Sequence, residues 1–245
     1  MMPAYPAAPQ NELLAALAGL DWPRIGTDLD ATGCATTGAL LSPDLCAELS
    51  AQYDQEGAFR SRVVMARHGF GRGEYRYYAY PLPAPIQALR SSLYPELAVV
   101  ANRWAEACGQ QASYPATHGA FLDQCHAQGQ THPTPLLLQY GPGDYNCLHR
   151  DLYGALYFPL QVAFLLDRPG EDFTGGEFVL TEQRPRMQSR VEVVPLCQGE
   201  GVIFAVNQRP VQGGRGTYRV AMRHGVSRLR SGRRHTMGII FHDAR

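Results

Sequence analysis

The sequence predicts an α+β fold in one domain: helices first, then a double-sheet jelly roll (double-stranded β-helix) core, with the N-terminal helices buttressing one sheet. Three observations lead there. Apolar residues recur at three- and four-residue steps in the first half, and after Pro133 the pattern changes to short β-rich runs punctuated by turn residues. A chain of 245 residues with 45% hydrophobic content can also bury one substantial core. The expected organisation is a disordered tail over residues 1–10 and a single domain over 11–245, helical from about 11 to 130 and strand-rich from about 133 to 245.

The tail expectation comes from MMPAYPAAPQ, which is rich in Pro and Ala and has no periodicity. Ser42-Pro43-Asp44 is a helix start, with a capping hydroxyl, a proline in the first turn and an early carboxylate, and Leu45, Leu49 and Tyr53 follow at helical spacing. From about Pro85 to Cys108, Ile86, Leu89, Leu93, Leu97, Val100 and Trp104 mark one long helix, or two broken at Pro95, with Gly109 to close the run. A further helix is expected over Gly119 to Ala127. The strand-like runs are residues 136–140, 157–166, 175–180, 191–196, 201–206 and 236–241.

Composition narrows the function. No stretch approaches the roughly 18 to 20 apolar residues of a membrane span, and the N-terminus lacks the basic-then-apolar order of a signal peptide, so a cytoplasmic protein without a membrane partner is expected. Six cysteines are scattered without C-x-x-C pairs, which suggests neither a zinc knuckle nor a redox motif. All 22 basic residues are arginine. Residues 1–183 hold 10 Arg against 19 Asp and Glu, a balance of −9, and residues 184–245 hold 12 against 3, a balance of +9. An arginine-rich end suggests an anionic ligand near it, unless the fold mixes the two halves and cancels the charge.

Two other segments have competing readings. Gly69-x-Gly71-x-Gly73 resembles part of a nucleotide loop, but without a strand-to-helix context it reads as a flexible turn. The run Glu74-Tyr75-Arg76-Tyr77-Tyr78 combines aromatics with arginine as single-strand binders do, or else is an alternating edge strand with half-buried tyrosines, the reading we favour.

The stretch that carries chemistry runs from Tyr140 to Gly154. In an extended strand residues two apart point to the same side, so His149 and Asp151 can offer an imidazole nitrogen and a carboxylate oxygen to one ion. A third ligand must come from elsewhere, and His224, His235 and His242 are the downstream candidates. His224 precedes Gly232 by eight residues and Arg234 by ten, spacing that would suit neighbouring strands joined by a turn at Ser231-Gly232. His126 and His132 are too loosely spaced for a metal and suit a helix end or loop.

With H-x-D at 149–151 and H-x(7)-G-x-R at 224–234, the chain resembles the 2-oxoglutarate/iron(II) dioxygenase superfamily. Tyr140-x-Pro142-Gly143, leading on to His149, is similar to the same approach in nucleic-acid alkylation-repair dioxygenases, and the G-x-R element is also similar to prolyl-hydroxylase-type members. Segments 173–190 and 223–244 resemble a bacterial subgroup of oxygenases acting on damaged nucleic acid.

The resemblance implies Fe(II) held by His149, Asp151 and His224, the catalytic and metal-binding set, with 2-oxoglutarate and O2 as co-substrates. It assigns the far carboxylate of 2-oxoglutarate to Arg234, whose planar fork suits a carboxylate, with Arg233 as runner-up and Tyr140 as a hydroxyl donor. Adjacent strand residues face opposite ways, so His235 should point away from the cavity if Arg234 points in; His242 either lines the site or bonds to a loop. The carboxylate at Asp151 favours hydroxylation or demethylation over halogenation, because halide-transferring members carry a small residue there. Arg184, Arg186, Arg190 and Arg215, with Arg209 and Arg219, flank the strands expected around the metal and would meet a phosphate-bearing substrate if they converge at the cavity mouth. The expected substrate is a nucleotide or alkylated nucleic-acid base. The alternatives are a protein side chain or small metabolite within the same enzyme class, and a ligand-binding module without turnover.

Overall fold

The computed structural model describes residues 7–111, 113–152, 154–214 and 216–245. Five α-helices precede most of the strands: α1 (Ala7–Ala18), α2 (Trp22–Thr32), α3 (Pro43–Ala51), α4 (Ala84–Ala107) and α5 (His118–Ala127). Helix α1 starts inside the stretch expected to be a tail; residues 1–6 of that stretch lie outside the described residues. Ser42 caps α3 by accepting from the Leu45 amide, and Pro43 follows at the first helical position. Helix α4 runs unbroken through Pro95 because its face from Ile86 to Trp104 is buried along its whole length. No helix among the described residues is long and apolar enough to cross a membrane.

All strand pairings between named strands are antiparallel. The larger sheet has the order β1 (Cys34–Ala39), β11 (Glu200–Ala205), β7 (Leu160–Leu165), β15 (Arg234–Ile239), β5 (Leu136–Tyr140), β4 (Glu74–Tyr78), β2 (Phe59–Val64). The smaller has the order β10 (Ser189–Val194), β9 (Phe178–Gln183), β13 (Gly216–Val226), β6 (Tyr145–His149), β3 (Gly71–Arg72), with β12 (Gln208–Gly213) also paired to β13. A two-stranded ribbon of β8 (Phe173–Gly175) and β14 (Leu229–Gly232) stands apart.

Two expectations need correction. The first half is not purely helical, since β1, β2 and β4 are built into the larger sheet; the run at 74–78 is an inner strand, covered by β2, and not an edge. Strands β13 and β15 are not neighbours joined by one turn. The ribbon strand β14 lies between them in sequence and carries the chain from the smaller sheet to the larger, so His224 and Arg234 belong to different sheets.

Helix α4 packs on α1 and against β15. The side of β15 opposite the Arg234 parity meets the segment after α3, where the Tyr53 ring lies 6.0 Å from that of His235. A buried polar clamp ties the helices to the C-terminus. Arg90 of α4 reaches Asp243 at 2.7 Å and donates to the Ile240 and Phe241 carbonyls, while His126 and Tyr80 also bond the Asp243 carboxylate. Removing one partner of such a pair strands the other charge in the interior, so Asp243→Ala is expected to lower stability by about 3–5 kcal/mol. Urea unfolding followed by circular dichroism checks this, and a midpoint unchanged from wild type would refute it.

Candidate metal centre and co-substrate cavity

The two histidines are brought together by strand register. His149 ends β6 and His224 lies on β13 as its direct cross-strand partner, with the ring centroids 4.1 Å apart. Asp151 follows β6 by two residues and returns to the same point: its Oδ1 is 3.3 Å from His149 Nε2 and its Oδ2 3.4 Å from His224 Nε2. One ligand atom from each of the three lies within 4.8 Å of the others, and among the described residues no other group of three such side chains converges. Two imidazoles and a carboxylate, converging from one side, suit a divalent transition metal with open positions.

The surroundings orient these donors. His149 Nδ1 donates to the Cys147 carbonyl at 2.8 Å, which leaves Nε2 as the lone-pair nitrogen facing Asp151. His224 is packed beside Phe204 and Phe178, at 4.5 and 6.1 Å between ring centroids, so its ring has little freedom. Burial alone would raise the Asp151 carboxyl, but the two imidazoles beside it outweigh burial and hold the group well below the usual range. Burial opposes charge on His149, yet the Asp151 carboxylate beside it raises its pKa; His224 is lowered by burial and by the His149 charge.

The same principle of register assembles a second pair. Arg234 opens β15 directly opposite Tyr140 at the end of β5, and both are almost fully buried, at 2% and 1% exposure. The guanidinium carbon lies 5.7 Å from the Tyr140 ring centre and 5.8 Å from that of Phe173, and Nη1 donates to the Thr236 hydroxyl. Its Nε and the Tyr140 hydroxyl are buried without a hydrogen-bond partner among the described residues, a costly state unless a ligand completes it. Arg233 is exposed, and His235 turns outward as the strand alternation requires, with Nδ1 on Asp167 and Nε2 on Gln139, each at 2.9 Å.

Both pairs open on one cavity of about 220 Å³ between the sheets. The larger sheet lends Tyr75, Tyr77, Gln161 and Thr236 to its wall, the smaller lends Asn146 and Phe178, and Phe70 stands at its rim, 48% exposed. Gly71 and Gly73 serve packing: a Cβ at Gly73 would lie 2.9 Å from the Tyr140 ring, and one at Gly71 would collide with the Tyr145 carbonyl. The side chains of Tyr75 and Tyr77 are half-buried as expected, yet they face the cavity.

Other candidates lie elsewhere. Arg184 and Arg190 are held at 3.0 and 3.7 Å by Glu182, which Arg209 also bonds while donating to the carbonyls that end α2. Glu182 is buried and needs counter-charge, so these arginines gather round it and do not line the cavity. Arg186 is exposed in the turn between β9 and β10, Arg219 donates to the Cys108 carbonyl, and Arg215 lies outside the described residues. His242 sits beyond β15 and accepts from the Phe158 amide at 3.2 Å, the loop role and not a cavity role. Sequence reasoning missed Arg150, Gln161 and Asn146, all of which line the cavity. Strand alternation would turn Arg150 away from the side of His149, but β6 ends at His149 and alternation does not govern the next residue.

Residues 73–244 match the family Oxygenase-NA, described as an oxygenase catalysing oxidative methylation of damaged DNA. Two Mycobacterium tuberculosis proteins, uncharacterized protein Rv2227 of strain H37Rv and uncharacterized protein MT2286 of strain CDC 1551 / Oshkosh, are each 49% identical over 164 residues, 67% of this chain and 70% of theirs. Three solved structures share the fold at low identity. A prolyl-4-hydroxylase of Pseudomonas putida is 17% identical with a TM-score of 0.53 over 91% of this chain and 99% of its own. A 2OG-Fe(II) oxygenase-family oxidoreductase of Burkholderia pseudomallei is 14% identical with a TM-score of 0.53 over 91% and 92%. A Trichoplax adhaerens prolyl hydroxylase, in complex with a hypoxia inducible factor oxygen degradation domain peptide fragment, is 14% identical with a TM-score of 0.55 over 94% and 90%. Since the family match spans most of the chain and takes in both cross-strand pairs, the chain belongs to the Oxygenase-NA family of oxygenases.

Proposed function

We propose that His149, Asp151 and His224 hold iron(II), that Arg234 and Tyr140 hold the far carboxylate of 2-oxoglutarate, and that the enzyme oxidises an alkylated base presented in a nucleotide or a nucleic-acid strand. The observation that carries this reading is that two cross-strand pairs, His149 with His224 and Arg234 with Tyr140, face one cavity from opposite sheets. On this reading the two sheets are the halves of a double-stranded β-helix, within one domain over residues 11–245. Six free cysteines fit a reducing, cytoplasmic setting.

When bound, iron(II) and 2-oxoglutarate supply the oxidising power to place an oxygen atom from O2 into a substrate C–H bond. The chain's own residues position and enclose. Phe178 and Phe204 keep the His224 side of the centre dry, and the Cys147 carbonyl keeps the His149 ring in one tautomer. Tyr75 and Tyr77, in edge-to-face contact at 5.4 Å, together with Phe70, offer aromatic surface to a planar ring. The Gln161 amide nitrogen, buried without a partner among the described residues, is a donor in search of a base-edge acceptor. The cavity suits the co-substrate and one ring system, so a base within a duplex would have to be flipped out, and single strands or free nucleotides are easier targets. The family description speaks of methylation; oxidation at a methyl carbon gives a hydroxymethyl group, which either persists or leaves as aldehyde, so hydroxylation and demethylation are the outcomes this chemistry supports.

The test is a panel of methylated single-stranded oligonucleotides and nucleotides assayed for substrate-stimulated succinate release. At least one member is expected to stimulate release several-fold. The likeness of fold to prolyl hydroxylases supports a second reading, a peptide side chain or small metabolite, and proline-containing peptides in the same assay separate the two. Stimulation by peptides alone would overturn the nucleic-acid reading.

A further inference from the structure

We infer that Arg150 is the anchor for an anionic group on the prime substrate, a phosphate, and that the site therefore takes neutral methylated bases over cationic ones. This rests on the nucleic-acid reading above and adds the substrate's charge to it.

Arg150 lines the cavity between the two ligands His149 and Asp151. Its Nε is buried without an acceptor, and no hydrogen bond or ion pair joins its guanidinium to any described residue. The buried Arg90 differs: it has the Asp243 carboxylate at 2.7 Å. A buried Nε left unpaired beside a cavity is costly unless a ligand answers it.

Charge counting says which ligand. Among the described residues lining the cavity, Asp151 is the sole carboxylate, and Arg150 and Arg234 are the arginines. With the site loaded, iron(II) cancels the 2-oxoglutarate dianion and Asp151 cancels Arg234, the histidines being neutral as ligands. The charge of Arg150 is left over. One phosphodiester neutralises it, with the fork geometry that arginine offers to phosphate. A base made cationic by methylation, such as N1-methyladenine or N3-methylcytosine, would add a second positive charge and finds no carboxylate to meet it. A neutral one, such as N6-methyladenine, does not carry that burden.

The experiment compares wild type, Arg150→Gln and Arg150→Lys, each loaded anaerobically with iron(II) and 2-oxoglutarate. Calorimetry measures binding of N6-methyladenosine 5′-monophosphate, N6-methyladenosine, N1-methyladenosine 5′-monophosphate and inorganic phosphate. Wild type is expected to prefer the neutral monophosphate to its nucleoside by about ten-fold or more, the effect of a charge-assisted hydrogen bond, and to prefer it to the cationic monophosphate. The phosphate preference should vanish in Arg150→Gln and survive in part in Arg150→Lys, while 2-oxoglutarate affinity is unchanged and the melting temperature is no lower than wild type. An equal phosphate preference in wild type and Arg150→Gln overturns the inference, as does a preference for the cationic base. A fall in 2-oxoglutarate affinity in Arg150→Gln also overturns it, since Arg150 would then serve the co-substrate. Inorganic phosphate bound through Arg150 with no nucleotide bound would sink the nucleic-acid reading and keep the anion site; no binding of either would sink both.

Discussion

Replacing His224 with alanine is expected to lower iron(II) affinity by more than about 100-fold and to abolish the weak visible charge-transfer band that wild type should give with iron(II) and 2-oxoglutarate under argon. The size follows from the geometry. His224 and His149 are direct partners on adjacent strands, and Asp151 reaches both, so removing one imidazole leaves two donors and opens the face that Phe204 and Phe178 enclose. Exogenous imidazole should restore part of the band, which a folding defect would not permit, and circular dichroism checks the fold directly. Acid should act in the same direction in wild type. After burial's opposing effect, Asp151 raises the His149 pKa, so as pH falls towards it the proton competes with iron for the ring and affinity declines. A band of wild-type intensity in the alanine variant would remove His224 from the metal set.

How much of this was legible in the sequence differs by residue, for physical reasons. His149 and Asp151 were readable as a pair because the H-x-D spacing is local, although Asp151 lies just past the end of β6 and reaches His149 without strand alternation. Alternation required only that one of Arg233 and Arg234 face inward; the resemblance favoured Arg234, and His235 turned away from the cavity then followed. His224 was found by spacing, but for a reason the structure corrects. The spacing suggested neighbouring strands, whereas β14 pairs with β8 and delivers Arg234 to the opposite sheet. Strand β13 escaped notice because its outward positions carry Arg219 and Arg223, which dilute the apolar signal, although Val220, Met222 and His224 are buried on its other side. Helices α1 and α2 were hidden in a stretch rich in Ala, Gly and Pro, where Leu13, Leu17, Ile25 and Leu29 are buried by long-range packing that no local pattern announces. Arg184 and Arg190 were expected near the substrate on charge alone; the buried carboxylate that claims them, Glu182, is on the same hairpin, and its burial could not be read from the chain.

Arg234→Ala is expected to raise the KM for 2-oxoglutarate by roughly 30-fold to 4,000-fold, the equivalent of about 2–5 kcal/mol for truncating one side of a buried charge pair. Arg234 is 2% exposed and its Nε has no acceptor among the described residues; burial lowers its guanidinium pKa, an effect Tyr140, Asp167 and Glu177 oppose. The side chain is held in place by Thr236, by the Tyr140 and Phe173 rings, and by Gly176, where a Cβ would lie 3.0 Å from the Arg234 Cδ. Arg234→Lys should recover only part of the affinity, because a point charge cannot reproduce the fork that meets both carboxylate oxygens. Tyr140→Phe should cost less than either, since it deletes one neutral donor and leaves the ring against Arg234. Iron(II) affinity measured without 2-oxoglutarate should be unaltered in all three, because Arg234 and Tyr140 belong to the larger sheet and the histidines to the smaller. That separation makes the result decisive. A loss of iron binding in Arg234→Ala would mean that the two pairs do not act independently, and an unchanged KM for 2-oxoglutarate would mean that the far carboxylate is held by another cation, such as Arg150, the other arginine among the described residues lining the same cavity.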